Sequence, residues 1–273
     1  MTGYKDIFSL RDKVAVITGG AGILGRKFSC VLAEFGAAVA IVDLDGKAAA
    51  DLAEDIRRTY QTPALGLGCD ITDPASVAAM VDAVVGQLGG IDILHNNAAT
   101  KGPSLDAFFA PYEEFSLESW RAIMAVNIDG MFLVSQAVGR QMIRRKKGGS
   151  VIQSSSIYGI LGADKRIYEG SHYLGREINT PAVYAASKAA VVGLTKYLAT
   201  YWAEHGIRVN TVTFGGVESG QNETFRQRYS ARVPLGRMGE ADEMVSAVLF
   251  LASDASSYVT GQNLIIDGGL SAW

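Results

Sequence analysis

Residues 14–28, VAVITGGAGILGRKF, join a β-branched apolar run to a helical pattern through a glycine-rich turn. That order permits little besides a strand–turn–helix unit of a parallel sheet. Val14 to Thr18 reads as a strand buried on both faces. Phe28, Val31, Leu32 and Phe35 then recur at helical spacing. Gly20, Gly22 and Gly25 spell G-x-G-x-x-G between them. Glycine suits a tight turn whose backbone must approach a pyrophosphate, and the helix N-terminus favours the negative charge. The unit reads as a dinucleotide-binding site.

A second apolar run, Ala38 to Val42, ends in Asp43, 18 residues after Gly25 (43 − 25). An acidic residue at about that distance can bond both ribose hydroxyls, and it would repel the extra phosphate of NADP. NAD is therefore expected in preference to NADP. Arg26 and Lys27 offer positive charge nearby but precede the second strand.

Strand and helix patterns alternate along the chain, which predicts an α/β fold: a Rossmann-type doubly wound parallel sheet flanked by helices, one domain over residues 1–273. The expected strands are Ala64 to Cys69, Ile91 to His95, Ser150 to Ser154, Ile207 to Thr213 and Leu264 to Asp267, after the first two. Long helices are expected over Pro74 to Leu88, Leu117 to Arg145, Val183 to Glu204 and Ala241 to Ser253. Three long loops, Asn96 to Phe115, Ser155 to Pro181 and Phe214 to Gly239, follow strand ends, where the crevice of such a sheet lies.

A net charge of −3 gives no footprint for nucleic acid. The run Arg144 to Lys147 reads as a helix C-terminus before Gly148 and Gly149, where cations suit the dipole. Met1 to Lys13 lacks the apolar core of a signal peptide, and no apolar run is read as approaching membrane-spanning length. Cys30 and Cys69 are isolated, and His95, His172 and His205 lack metal-ligand spacing. A cytoplasmic protein is expected, with no metal, nucleic-acid or membrane partner.

Tyr184 and Lys188 stand four apart in AVYAASKAAVVGL, residues 182–194. On a helix they share a face. An ammonium beside a phenol favours the phenolate, so the tyrosine pKa is expected to fall toward working pH, as proton transfer to or from a substrate oxygen requires. Such a pair also arises by chance; the glycine turn upstream and the serines at 154–156 give it weight.

With these parts in order, the chain resembles the short-chain dehydrogenase/reductase family over essentially its whole length. The matching pieces are TGGAGILG at 18–25, His95-Asn96-Asn97-Ala98-Ala99, Val126-Asn127, Ser156, Tyr184 with Lys188, and Asp267-Gly268-Gly269. The resemblance implies that Tyr184 is the general acid/base and that Lys188 bonds the nicotinamide ribose and lowers the tyrosine pKa. Ser156 would hold the substrate oxygen, and Asn127 would anchor a water linking the lysine to solvent. Ser154 and Ser155 compete with Ser156, which the following Ile157-Tyr158-Gly159 favours. For the cofactor, it implies contacts at Gly19, Gly22, Ile23, Leu24 and Gly25 in the turn, Asp43 at the ribose, Asp70 and Ile71 at the adenine, Asn97 and Ala98 along the cleft, and Gly215 and Val217 after the sixth strand.

Three departures stand out. Ile23 occupies the position of the middle glycine, so Thr18 to Gly25 fits the T-G-x-x-G-x-x-G spacing of the longer, sugar-nucleotide-modifying members. Phe214 replaces the usual proline before Gly215, which is expected to reshape the substrate wall. Ser156 and Tyr184 are 28 residues apart (184 − 156), about twice the usual separation. The added segment, 159–181, must loop out over the site. Its Ile167-Tyr168-Glu169-Gly170 core is similar to an insertion in relatives associated with flagellin and surface-sugar modification, which points to a polar, sugar-like substrate.

The expected activity is NAD-dependent interconversion of a secondary alcohol and a ketone on a sugar, sugar acid or polyol. One rival is a nucleotide-sugar epimerase or dehydratase using NAD transiently, which the glycine spacing favours and the lack of an extended C-terminal substrate domain opposes. Another is a module that binds NAD without turnover. Asp164, Lys165, Arg166, Glu169, His172 and Arg176 in the insertion suit a hydroxyl-rich or anionic ligand; Arg226, Arg228 and Arg232 either close over that ligand and select an anion or are simply solvated. Apolar residues on several helix faces (Met131, Phe132, Val191, Val192, Leu194) call for a further partner. The resemblance, whose short members pair these two helices and join their C-terminal segments, implies a homotetramer, with Leu270 and Trp273 suited to the second contact.

Overall fold

The computed structural model describes residues 3, 6–102, 104–173 and 175–273; Pro103 and Leu174, inside two of the long loops, lie outside the described residues. Its strands are β1 (Val14–Thr18), β2 (Ala38–Asp43), β3 (Ala64–Gly68), β4 (Ile93–Asn96), β5 (Gly149–Ser156), β6 (His172–Tyr173), β7 (Arg176–Glu177), β8 (Ile207–Phe214) and β9 (Asn263–Ile266). Its α-helices are α1 (Ile23–Glu34), α2 (Gly46–Tyr60), α3 (Pro74–Leu88), α4 (Leu105–Phe108), α5 (Leu117–Met124), α6 (Met131–Arg145), α7 (Ala182–Tyr201), α8 (Glu223–Ser230) and α9 (Val245–Ala252).

Seven strands form one parallel sheet in the order β3-β2-β1-β4-β5-β8-β9. The winding reverses between β1 and β4, and the ligand crevice of such a sheet opens there, at the carboxyl ends of the strands. All five residues of β1 are buried, as a strand covered on both faces requires. On one face Phe28, Leu32, Leu52 and Val248 bring α1, α2 and α9 against Ile17, Ile41 and Val212. On the other Val84, Val138 and Leu198 bring α3, α6 and α7 against Val16, Leu94 and Val209.

The helix read as continuous over Leu117 to Arg145 carries a π-helical turn, Ala125–Gly130, between α5 and α6. Contrary to expectation, this stretch is long and apolar enough to cross a bilayer by length and composition, but 44% of its most apolar window is buried inside the fold. Lys146 closes α6 in a left-handed conformation, so the basic run does mark a helix C-terminus. Other boundaries shift by a few residues. The fifth strand runs on to Ser156, and Ala241–Met244 is a 3₁₀ turn leading into α9. The β6–β7 hairpin and α8 are new, each lying inside a segment read as loop.

Candidate active site

The glycine turn delivers its backbone where the sequence placed it. Gly19 has φ +60, and a Cβ there would meet the Ala98 Cα at 2.8 Å, so the chain passes too close to β4's loop for any side chain. A Cβ on Gly25 would fall 1.9 Å from the Gly19 carbonyl. Gly22 is the N-cap of α1 and no side chain caps that helix, which leaves its first amides for a ligand. Asp43, at the end of β2, accepts from the Ala21 amide (3.1 Å) and the Asp45 amide (3.2 Å). Thr18 Oγ1 accepts from the amides of Asn97 (3.1 Å) and Ala98 (3.2 Å), and Asn97 Nδ2 donates to the Gly19 carbonyl (3.3 Å).

Together these walls enclose a cavity of about 410 Å³ lined by Gly19, Gly22, Ile23, Leu24, Gly25, Asp43, Asp70, Ile71, Asn97 and Ala98. An unsatisfied helix N-terminus with a carboxylate one strand away fits a dinucleotide. Asp70 is exposed, and its carboxyl is held below the usual range by the Thr72 hydroxyl and amide (2.7 and 2.9 Å).

Ile23 also lines a second cavity of about 390 Å³, bounded by Ser156 and Tyr184, so the two openings meet at the residue standing in the glycine's place. Gly215 lines this second cavity. Val217 lines neither; it bridges to Gly239 and packs on the core.

The three strand-end serines separate cleanly. Ser154 faces the buried His95 ring (2.9 Å), Ser155 donates to the Lys188 carbonyl (2.7 Å), and Ser156 lines the same cavity as Tyr184. Hence only Ser156 joins the tyrosine. Lys188 is buried, its Nζ donates to the Ser154 carbonyl (3.1 Å), and burial lowers its pKa to about 8. The expected fall in the Tyr184 pKa is not seen. Burial raises it, and the nearby Ser156 hydroxyl opposes that in part. The physical reason is distance: Lys188 Nζ is 5.9 Å from the tyrosine ring centroid and is turned toward a backbone carbonyl.

Asn127 sits in the π-helical turn, a local widening often found at functional sites. Its Oδ1 accepts from the Thr100 amide (2.9 Å), and its Nδ2 donates to Ser187 Oγ (3.2 Å), which in turn donates to the Tyr184 carbonyl (2.9 Å). Asn127 thereby ties the loop after β4 to α7 beside the tyrosine. Sequence reading missed Thr100 and Ser187, because neither carries a spacing signal of its own. His95 is fully buried against Phe28, and burial lowers its pKa to about 3.

The insertion is a keystone among three loops. Arg176 pairs with Asp106, and Asn179 Nδ2 donates to the Phe109 carbonyl (3.0 Å), both reaching the loop after β4. Lys101, from that loop, stands 5.4 Å over the Tyr173 ring. On the other side Asn222 Nδ2 donates to the His172 carbonyl (2.8 Å) and Arg228 to the Arg166 carbonyl (2.6 Å).

Two expectations are corrected here. The cationic side chains of the insertion and of the loop after β8 do not line the Tyr184 cavity. Carboxylates engage the arginines: Asp164 takes Arg166 and Arg232, Glu169 takes Arg228, and Glu218 and Glu223 take Arg226. Arg166 beside it holds the Asp164 carboxyl down at about 2. Lys165 lines a separate cavity beyond Asn179 to Pro181. Phe214 does not shape the substrate wall either; it is buried and stacked on Phe28, with centroids 5.7 Å apart.

Comparison with known proteins agrees with this geometry. Residues 20–271 match the family model described as enoyl-(acyl carrier protein) reductase. The chain is 37% identical to D-threitol dehydrogenase of Mycolicibacterium smegmatis, covering 96% of this chain and 94% of that one. It is equally 37% identical to 3-oxoacyl-[acyl-carrier-protein] reductase of Thermotoga maritima, covering 96% and 98%. Among solved structures it is similar to gluconate 5-dehydrogenase of Burkholderia cenocepacia in complex with NADP and tartrate: 36% identity, 98% of each chain, TM-score 0.86. A glycine turn at the switch point, a serine and a tyrosine meeting at the adjoining cavity, and matches of this extent have one explanation: the chain belongs to the short-chain dehydrogenase/reductase family.

Proposed function

We propose that this protein is an NAD-preferring dehydrogenase that interconverts a secondary alcohol and a ketone on a sugar, sugar acid or polyol. The observation that carries the reading is that Ser156 and Tyr184 share the wall of a cavity joined to the dinucleotide cleft at Ile23. A bound nicotinamide supplies the hydride acceptor or donor. The protein's task is then to place a carbinol carbon beside it and to move one proton.

Tyr184 is the group for that proton. In oxidation its phenolate takes the hydroxyl proton; in reduction its phenol returns one. Ser156 holds the substrate oxygen beside the phenol. The ligand-free tyrosine is held protonated by burial, which suits it to donate. Lys188 keeps its ammonium close by, and ionisation of Tyr184 for oxidation draws on that charge once substrate and cofactor shield the site. Asn127 fixes the height of α7 through Ser187.

Asp43 supports NAD, since its carboxylate stands at the end of β2 where a 2′-phosphate would meet like charge. The names of the similar proteins support a polyol or sugar substrate, although an acyl-carrier reductase is equally similar. The cavity itself favours the smaller substrate: about 390 Å³, walled by the insertion and by Phe108, Phe109 and Tyr168.

The test is a screen of polyols, aldonates and a 3-oxoacyl thioester with either dinucleotide. NADH formation from a polyol or aldonate is expected. Turnover confined to the thioester would contradict the reading, and turnover of a nucleotide sugar without net NADH would favour the epimerase alternative.

A further inference from the structure

The charge inside the substrate cavity is unbalanced. Among the described residues that line it there is no aspartate or glutamate, while Lys101 contributes a full positive charge. The neighbouring arginines are already matched with carboxylates, as Arg176 is with Asp106 and Arg228 with Glu169. No carboxylate stands within ion-pair distance of Lys101 among the described residues. Its ammonium instead rests 5.4 Å over the ring of Tyr173, another lining residue, on the β6–β7 hairpin.

Asn179 lies on the wall of the same cavity, and its Nδ2 donates to the Phe109 carbonyl at 3.0 Å, so the segment leading into α7 is tied to the loop after β4 that carries Lys101.

We propose that the substrate is a small hydroxy acid whose carboxylate pairs with Lys101. This rests on the alcohol-dehydrogenase reading of the same site and names the substrate class within it. The aromatic wall of Phe108, Tyr158 and Tyr168 receives the carbon skeleton. Lys101 comes from the loop after β4, which the insertion holds through Asn179 and Phe109, so the insertion's length has a chemical use: it carries the Tyr173 ring beside the cation.

The experiment uses the full chain with NAD and two matched pairs, xylonate with xylitol and threonate with threitol. The acid of each pair is expected to show the higher kcat/KM, by about tenfold or more, the scale of one hydrogen bond to a charged group. Lys101→Met is expected to bring the acid-to-polyol ratio toward one, through the KM of the acid, and Lys101→Arg to restore it. Asn179→Asp should depress the acids more than the polyols. Polyols used as well as their acids, or a ratio that Lys101→Met leaves unaltered, would overturn the proposal. If neither series yields NADH, the alcohol reading itself fails and this proposal falls with it.

Discussion

Lys188 and Tyr184 share a face of α7 but are not hydrogen-bonded to each other: the ammonium donates to the Ser154 carbonyl at 3.1 Å and lies 5.9 Å from the tyrosine ring centroid. The lysine is thus stored in a dry, carbonyl-lined position, and this has a thermodynamic signature. Burial lowers its pKa from 10.5 to about 8. Between those values the unfolded chain binds more protons than the folded one, so stability from this group rises with pH above about 8. Below about 8 both states are protonated and the whole burial penalty is present. Lys188→Met should therefore raise Tm relative to wild type at neutral pH, with a gap that narrows as pH climbs toward 10.5. Thermal melts at several pH values test this; a gap independent of pH would contradict it.

Cofactor choice follows from Asp43. Asp43→Ser removes the carboxylate that would meet a 2′-phosphate. The ratio of kcat/KM for NADP over NAD should rise by about tenfold or more, the scale of one like-charge contact. A wild-type enzyme already more efficient with NADP would refute the argument.

Gly25→Ala tests the turn. The added methyl would sit 1.9 Å from the Gly19 carbonyl, which also receives Asn97 Nδ2, so the cleft must open. Overpacking of this kind costs about 1–3 kcal/mol. A calorimetric titration should show dinucleotide affinity reduced by at least about tenfold; wild-type affinity would mean the close approach is dispensable.

These features were legible in the sequence because their geometry is local. A strand, a glycine turn and a helix N-terminus lie within fifteen residues, and four residues set Tyr184 against Lys188. The fold class followed from alternating patterns for the same reason. What was not legible depends on partners far along the chain. Arg232 meets Asp164 across 68 residues, which turned expected ligand-binding arginines into internal ion pairs. Phe214 found Phe28 in the core rather than the substrate wall. The π-helical turn at Asn127 has no propensity signal, and the tyrosine pKa depends on burial that spacing does not reveal.

Assembly is likewise a matter of what remains uncovered. Met131 and Val191, read as surface contacts, are buried within the subunit. Phe132 on α6 and the stacked Tyr197–Tyr201 pair on α7 stay exposed, and Trp273 is 77% exposed. A homotetramer using these faces is expected by light scattering, and Phe132→Glu with Tyr197→Glu should yield smaller species. A wild-type monomer at micromolar concentration would overturn this.

The central claim is that Tyr184 moves the proton in an NAD-linked alcohol oxidation. Its most direct test is NADH formation by Tyr184→Phe, with dinucleotide binding measured on the same preparation. The account predicts a fall in kcat of about 10²–10⁴-fold, the usual contribution of a positioned acid/base group, with dinucleotide affinity retained. A variant within about tenfold of the wild-type rate would contradict it.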